Sequence, residues 1–569
     1  MNSVLLAFIG VVMIVAGYAL YSKYLANRIY RLEPNYQTPA HAMRDDVDYV
    51  PTNKYVLWGH HFTSVAGAAP IVGPAVAVIW GWLPAFLWVT VGTVFFAGMH
   101  DMGALWASVR HKGKSMGALS SRYIGARGAN LFLVVIFLLL LMVNAAFAVV
   151  ISNLLVSTPT AVIPTWGAIV VALLIGQAIY RFKWNLAVVS VVGVTALYSL
   201  ILIGDKIPLS LPETMMSLPD NAVWIILLFV YAGIASVLPV WLLLQPRDYI
   251  NGLQLFVGLG LLYGSFLFAG RDLVAPAFNN NVPAGTPGIV PLLFVTIACG
   301  AISGFHGMVS SGTSAKQLDK ETDARFVGYF GAVGEGLLAL GAIIATTAGF
   351  RSLADWETVY AKFNDGGVKA FVSGGADLMN AGLGLPLGLS ATVLATMAVL
   401  FAATTMDTGV RLQRFVVQEA GDIMGFSIGK VASTVIAVGV ALALTFGAGA
   451  DGSGGMLIWP LFGTTNQLLA GLTLGILAII LLRKKRPVLP IVLPMVFVLV
   501  MTVYALVVQL GTFYNDGNWL LLVLDVIILV ASLWVIVETV GAMNRARTGV
   551  DTDDSDDELE MAGSGGSSK

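Results

Sequence analysis

Apolar runs of about twenty residues recur from one end of this chain to the other. Each is long enough to cross the hydrocarbon core of a bilayer as a helix. No water reaches that core to bond the backbone, so a spanning segment must satisfy its own N–H and C=O groups. The chain is therefore restricted to an all-α polytopic membrane fold. Composition agrees: 57% of the 569 residues are hydrophobic and 11% charged, against roughly 25% charged in a soluble domain. The net charge of -1 leaves no basic footprint for nucleic acid. The partners expected are the lipid bilayer and a small molecule. Cys299 is the one cysteine, which excludes an intramolecular disulfide or a multi-cysteine metal site.

About fifteen spanning segments are predicted, at 3–22, 58–80, 82–105, 130–155, 165–180, 184–203, 223–244, 252–270, 288–311, 326–349, 384–405, 428–447, 455–480, 488–509 and 519–540. No Lys or Arg precedes the first, whereas Lys23, Arg28 and Arg31 follow it, the reverse of a cleavable signal. It is expected to be a retained helix with its N-terminus outside. With that orientation only Lys206, Arg271, Arg351, Lys362 and Lys369 of the 31 basic residues fall on the outer side, as the positive-inside rule requires. The topology expected is N-out, C-in. Residues 350–383 form a long outer loop, read either as a lid or as a passive connector, with SLADWETVYAKF as a short surface helix. The acidic, then Gly/Ser-rich tail within 546–569 is expected to be disordered.

Glycine and proline clusters inside spans carry more meaning here than in a soluble protein, because a helix break at membrane depth is tolerated where it lines a cavity or is buried in protein. GHHFTSVAGAAPIVGP at 59–74 is one such cluster, ACGAISGFHGMVSSGTSAKQL at 298–318 a second, and YAGIASVLPVWLLLQPRDY at 231–249 a third, with Pro239 inside the span. The first two cross in opposite directions and both join a Phe–His pair to hydroxyl residues, the relation expected of inverted repeats. Amide N–H groups at such breaks suit a carboxylate. The substrate-binding candidates are accordingly His60, His61, Thr63, Ser64, Gly67, Gly73, Gly304, His306, Ser310 and Ser311.

Ionisable residues at membrane depth are costly and mark function or interior pairing. Glu335 lies deep in its span. Asp101 and Asp407 fall near cytoplasmic ends, where solvation at the interface competes with a role. Asp525 suits an interhelical hydrogen bond. LFAATTMDTG at 400–409 places Thr404, Thr405 and Asp407 on about one turn, hydroxyls and a carboxylate fit for a hard cation; back-bonding to the helix is the alternative. The coupling-ion candidates are Val65, Ala68, Thr404 and Thr405 for Na⁺, and Glu335 or Asp407 for H⁺. A metal site on His60, His61, His100 and His306 is the lesser alternative. His41 and His111 are expected to be solvated. No phosphate-binding G-x-x-x-x-G-K-[ST] loop occurs, which favours secondary transport over ATP-driven pumping and over an enzyme.

Several long strings closely resemble the carbon starvation protein A family: GHHFTSVAGAAPIVGP, AGMHDMGALWASVRHKGKSMG, YAGIASVLPVWLLLQPRDYING, ACGAISGFH, SSGTSAKQLDKETDARFVGYFGA and WPLFGTTNQLLAGL. The resemblance runs from about residue 30 to 540. It implies a bacterial inner-membrane transporter of peptides or pyruvate, without cofactor, and a core of LeuT type made of five plus five inverted-repeat helices. The expected organisation is a peripheral helix at 1–29 and a transporter core at 30–480, then peripheral helices at 481–545 and the tail at 546–569. Within the core, repeats cover about 58–203 and 288–480, with an inserted hairpin at 223–270. A contiguous alternative uses the break at Pro239 as the partner of the first. The function expected is cation-coupled import by alternating access. The rivals are a membrane carbon-source sensor and a histidine-metal membrane enzyme.

Overall fold

The computed structural model describes residues 1–215, 217–363, 366–447 and 449–549. Nearly all of this is helix, with one short hairpin, Thr214–Met215 against Leu218–Pro219. In chain order the helices that build the molecule are α1 (Ser3–Ile29), α2 (Lys54–Ala66), α3 (Ala69–Trp80), α4 (Trp82–Arg110), α5 (Ala126–Ser157), α6 (Pro159–Arg181) and α7 (Leu186–Lys206). They continue as α8 (Asp220–Val237), α9 (Leu244–Ala269), α10 (Ile289–Thr296), α11 (Gly304–Gly312), α12 (Glu321–Ala348), α13 (Leu353–Val359) and α14 (Gly367–Leu383). The last five are α15 (Leu387–Ile423), α16 (Lys430–Phe446), α17 (Trp459–Arg483), α18 (Leu489–Asn515) and α19 (Trp519–Thr548).

Among the described residues, 12 helices are long and apolar enough to cross a membrane, or 13 if the bent pair α2–α3 is one span. The fifteen segments expected are thus not fifteen continuous spanning helices. Segment 288–311 is split into α10 and α11, each too short to cross alone, and α16 has only 17 residues. Both shortfalls have a physical source: glycines at 300 and 304 interrupt one segment, and glycines at 429 and 447 bound the other.

The most buried spans are α5, α12 and α17, and the least buried is α7. The central helices therefore carry the apolar core, while α1, α7 and α19 present Leu, Val and Ile to the surroundings. The segment 350–383, read as an outer loop, differs from its expected form. SLADWETVYAKF does contain a short helix, α13, capped by the Ser352 hydroxyl on the Asp355 N–H. The glycine-rich stretch after it is helix as well, α14, packed on α9, α12 and α15. Its glycines permit that packing: a Cβ at Gly374 would sit 2.2 Å from the Ala345 carbonyl oxygen. The tail read as disordered lies outside the described residues from 550 onward.

Candidate functional site

The helix breaks supply the geometry. Between α2 and α3 the chain turns by 43° at Gly67, whose φ of 54° is open to glycine and strained for other residues. A Cβ there would lie 2.6 Å from the Phe147 ring and 2.8 Å from the Thr405 hydroxyl. The second break, 297–303, lies beside it. A Cβ at Gly73 would meet the Thr296 carbonyl at 2.4 Å, and one at Gly300 would come within 3.7 Å of Pro70. Side chains satisfy the freed backbone: Trp88 donates to the Ile297 carbonyl (3.2 Å) and Thr93 to the Gly300 carbonyl (3.0 Å). Asn466 of α17 accepts the Phe305 N–H at 2.9 Å and donates to the Cys299 sulfur at 3.1 Å. The break at 238–243 is closed differently, by the Arg411 guanidinium donating to the carbonyls of Ala235 and Leu238.

A buried cluster of titratable groups sits against the two facing breaks. Asp101 of α4 bridges two imidazoles, His100 Nδ1 at 2.8 Å and His306 Nδ1 at 2.9 Å. The other side of His306 reaches Glu335 of α12, Nε2 to Oε2 3.2 Å, an ion-pair distance without the alignment of a hydrogen bond. All four residues are buried. Both Glu335 oxygens, His100 Nε2 and His61 Nε2 have no hydrogen-bond partner among the described residues. His61 packs its ring against Gly331, one turn from Glu335, and holds Ser314 Oγ at 2.9 Å through Nδ1. Such unsatisfied polar atoms are costly in an interior, and on transporter helices they mark proton or substrate pathways.

A second cluster holds α2 to α9 and α15. His60 Nδ1 lies 2.6 Å from Asp248 Oδ2, and Arg247 donates to the other Asp248 oxygen at 2.7 Å. The same guanidinium bonds Asp407 and donates to the Tyr231 hydroxyl (2.6 Å). Ser64 joins this group: its hydroxyl accepts from Thr408 at 3.1 Å, and its carbonyl accepts from Thr405 at 2.9 Å.

The sequence candidates divide between these clusters. His61 and His306 lie at the first, with Gly67, Gly73 and Gly304 at the breaks beside it, while His60, Thr63 and Ser64 lie at the second. Ser310 is buried and its hydroxyl has no hydrogen-bond partner among the described residues, but Ser311 bonds back to Gly307 and accepts the Met116 N–H, tying α11 to the start of the short helix Met116–Tyr123. Thr404 bonds back to Leu400, and the Ala68 carbonyl accepts the Ile71 and Val72 N–H groups, so Ser64 supplies the carbonyl that meets Thr405. Asp101 and Asp407 are buried and paired rather than solvated at helix ends. His111 is likewise buried, between the Ala107 carbonyl and the Tyr123 hydroxyl, whereas His41 is exposed beside Asp319. Asp525 is buried with neither oxygen hydrogen-bonded among the described residues, unlike the interhelical bond expected.

The four histidines weighed as a metal site do not act together, since His60 belongs to Asp248. The nearest approach to a shared donor set among the described residues is Cys299, His306 and Glu335, within 4.8 Å. Its sulfur is engaged as a thiol by Asn466 and Ser303. Arg247 and Asp248 were not singled out from the sequence, although they carried a local signal, a charged pair beside Pro246 between apolar stretches.

The family profile described as "Carbon starvation protein CstA" matches residues 2–353 and 350–505. A peptide transporter CstA of Campylobacter jejuni is 32% identical over 91% of this chain and 81% of its own length. A pyruvate/proton symporter BtsT of Escherichia coli is 31% identical over 87% and 80%. Among solved structures, a manganese transporter of Eremococcus coleocola, in complex with an aromatic bis-isothiourea compound, aligns with a TM-score of 0.52. It covers 89% of this chain and 99% of that one at 12% identity, a likeness of fold alone.

Proposed function

Because the chain belongs to the carbon starvation protein CstA family, we propose that it is a proton-coupled importer of a small carboxylated carbon source, pyruvate or a short peptide. It would work by alternating access in a bacterial inner membrane, N-terminus outside. Both substrate classes and the proton come from the names of the relatives. The observation that carries the reading is Glu335, a buried carboxylate beside the two facing breaks with neither oxygen hydrogen-bonded among the described residues. It stands at one end of the chain His100–Asp101–His306–Glu335. A proton taken up by Glu335 would neutralise a buried carboxylate that faces His306 at ion-pair distance but accepts no hydrogen bond among the described residues. Its release through His306 and Asp101 would restore that charge on the other side of the cycle. The substrate carboxylate would lie between His61, Gly67 and the α11 N-terminus.

The contacts favour a repeat pairing in which α2–α7 answer α10–α17. The two broken helices adjoin, and the third spans of each half, α5 and α15, pack along one another through Asn144 and Gln413 (2.7 Å). A sodium reading has one observation in its favour, the Thr405 hydroxyl on the Ser64 carbonyl.

The test is uptake of labelled pyruvate and of a dipeptide into proteoliposomes, with proton and sodium gradients imposed separately. Accumulation driven by the proton gradient alone is expected. Accumulation driven only by sodium would move the coupling site to Ser64 and Thr405. No accumulation under either gradient would sink coupled import.

A further inference from the structure

Apart from the central cluster, a cavity of about 250 Å³ lies on the side of the basic loops. Tyr49, Lys114 and Ser115 line it together with Lys316, Phe415 and Glu419. Met308 and Gly312 bring α11 to its wall. Lys316 belongs to the turn Ser314–Lys316. Ser314 in that turn is the residue that holds His61, so one short turn touches both the central cluster and this cavity.

Lys316 is held in an unusual way. Its ammonium stands 4.8 Å from the centre of the Phe415 ring and 5.3 Å from that of Tyr49. Gly113 makes room for the stem, since a Cβ there would lie 3.2 Å from Lys316 Cγ. The carboxylates nearest in charge are already engaged. Asp45 accepts the backbone N–H groups of Val47, Asp48 and Tyr49, and Asp48 lies 3.6 Å from Arg411. No carboxylate among the described residues is within ion-pair distance of Lys316, and no hydrogen bond engages its nitrogen. Burial pushes the ammonium below the ordinary lysine range; Asp48 and Asp45 oppose this, and Arg414 and Arg411 add to it. A cation held by ring faces and short of a counter-ion is set to take an anion from the cavity. Glu419, lining the same space, supplies the opposite charge.

We propose that Lys316 is a second carboxylate-binding residue, receiving the substrate on the cytoplasmic side of the central cluster, with Glu419 facing the amino end of a peptide. This rests on the transport reading above. A keto acid such as pyruvate would use Lys316 alone, and a zwitterionic dipeptide would use both.

The experiment uses the full chain in proteoliposomes, with apparent KM measured separately for the outer and inner faces. Lys316→Met is expected to raise the inner-face KM for pyruvate and dialanine about tenfold, with outer-face values within about twofold. Lys316→Arg is expected to stay near wild type, and Glu419→Gln to weaken dialanine only. An unchanged inner-face KM in a folded Lys316→Met protein overturns the assignment. A second measurement depends on neither folding of a variant nor transport: acylation of Lys316 by an amine-reactive reagent in the detergent-solubilised wild type, read by mass spectrometry. Protection by pyruvate, which has no amine to consume the reagent, is expected, and its absence overturns the proposal. Wild-type protein that shows protection but moves neither compound would instead overturn the transport reading alone.

Discussion

At the scale of residues, the two buried clusters play different parts. In the group around Glu335 a whole carboxylate lacks a hydrogen bond among the described residues, whereas in the group around Arg247 each carboxylate is bonded to the guanidinium and only Asp407 Oδ1 and His60 Nε2 are left over. Glu335→Gln removes the charge while keeping the shape. It is expected to abolish proton-driven accumulation and to leave exchange of labelled for unlabelled substrate near wild type. Loss of exchange with driven accumulation retained would contradict this. Arg247 is one cation between two carboxylates, so Arg247→Met leaves Asp248 and Asp407 buried and uncompensated. Removing one member of a buried ionic group costs about 3–5 kcal/mol. A marked fall in Tm is expected in detergent, partly recovered by adding Asp407→Leu. An unchanged Tm in the single variant would show that the knot contributes nothing to stability. The individual ionisable residues were legible in the sequence, because a carboxylate inside an apolar run is conspicuous. Their partners were not: His60 and Asp248 are 188 positions apart, and Arg247 and Asp407 160.

At the scale of elements, the breaks are held open by close packing as well as by backbone preference. Gly67→Ala places a methyl against Phe147 and Thr405 on a residue at φ 54° and ψ -158°, a region held almost only by glycine and costing about 1–3 kcal/mol for an L side chain. It is expected to cut transport at least tenfold. The control is Gly260→Ala, on the open face of α9 with nothing within 4 Å of its Cβ. Replacing a helical glycine by alanine there is expected to be neutral or to stabilise by about 0.5–1 kcal/mol. Equal transport by both variants would remove Gly67 from the mechanism. The glycines and prolines marked the breaks in the sequence because their effect on the backbone is local. The same residue type misled over 366–384, where the glycines serve a packed helix. Nothing local distinguishes a glycine that loosens a loop from one that lets α14 touch Ala345.

At the scale of the molecule, the proposed orientation rests on the distribution of Lys and Arg, and it can be measured. Cys299 is buried, so single cysteines can be read on the native background. Glu357→Cys, exposed on α13, is expected to react with an impermeant maleimide on intact cells. Lys485→Cys, exposed after α17, is expected to react only after permeabilisation. The reverse pattern would invert the proposed topology. The sequence by itself determined the class of fold, where glycine and proline break the spans, and that Glu335 and Asp525 are sunk in apolar runs. Each of these depends on hydropathy, backbone hydrogen bonding or residue type over a few positions. Tertiary structure alone decided that two breaks adjoin, that His306 joins Asp101 to Glu335, and that Arg247 locks α9 to α15. It also decided that Lys316 faces a cavity with no carboxylate within ion-pair distance among the described residues. Those are facts about segments that meet only when the helices pack, and the apolar faces that drive the packing carry no record of which polar groups it will bring together.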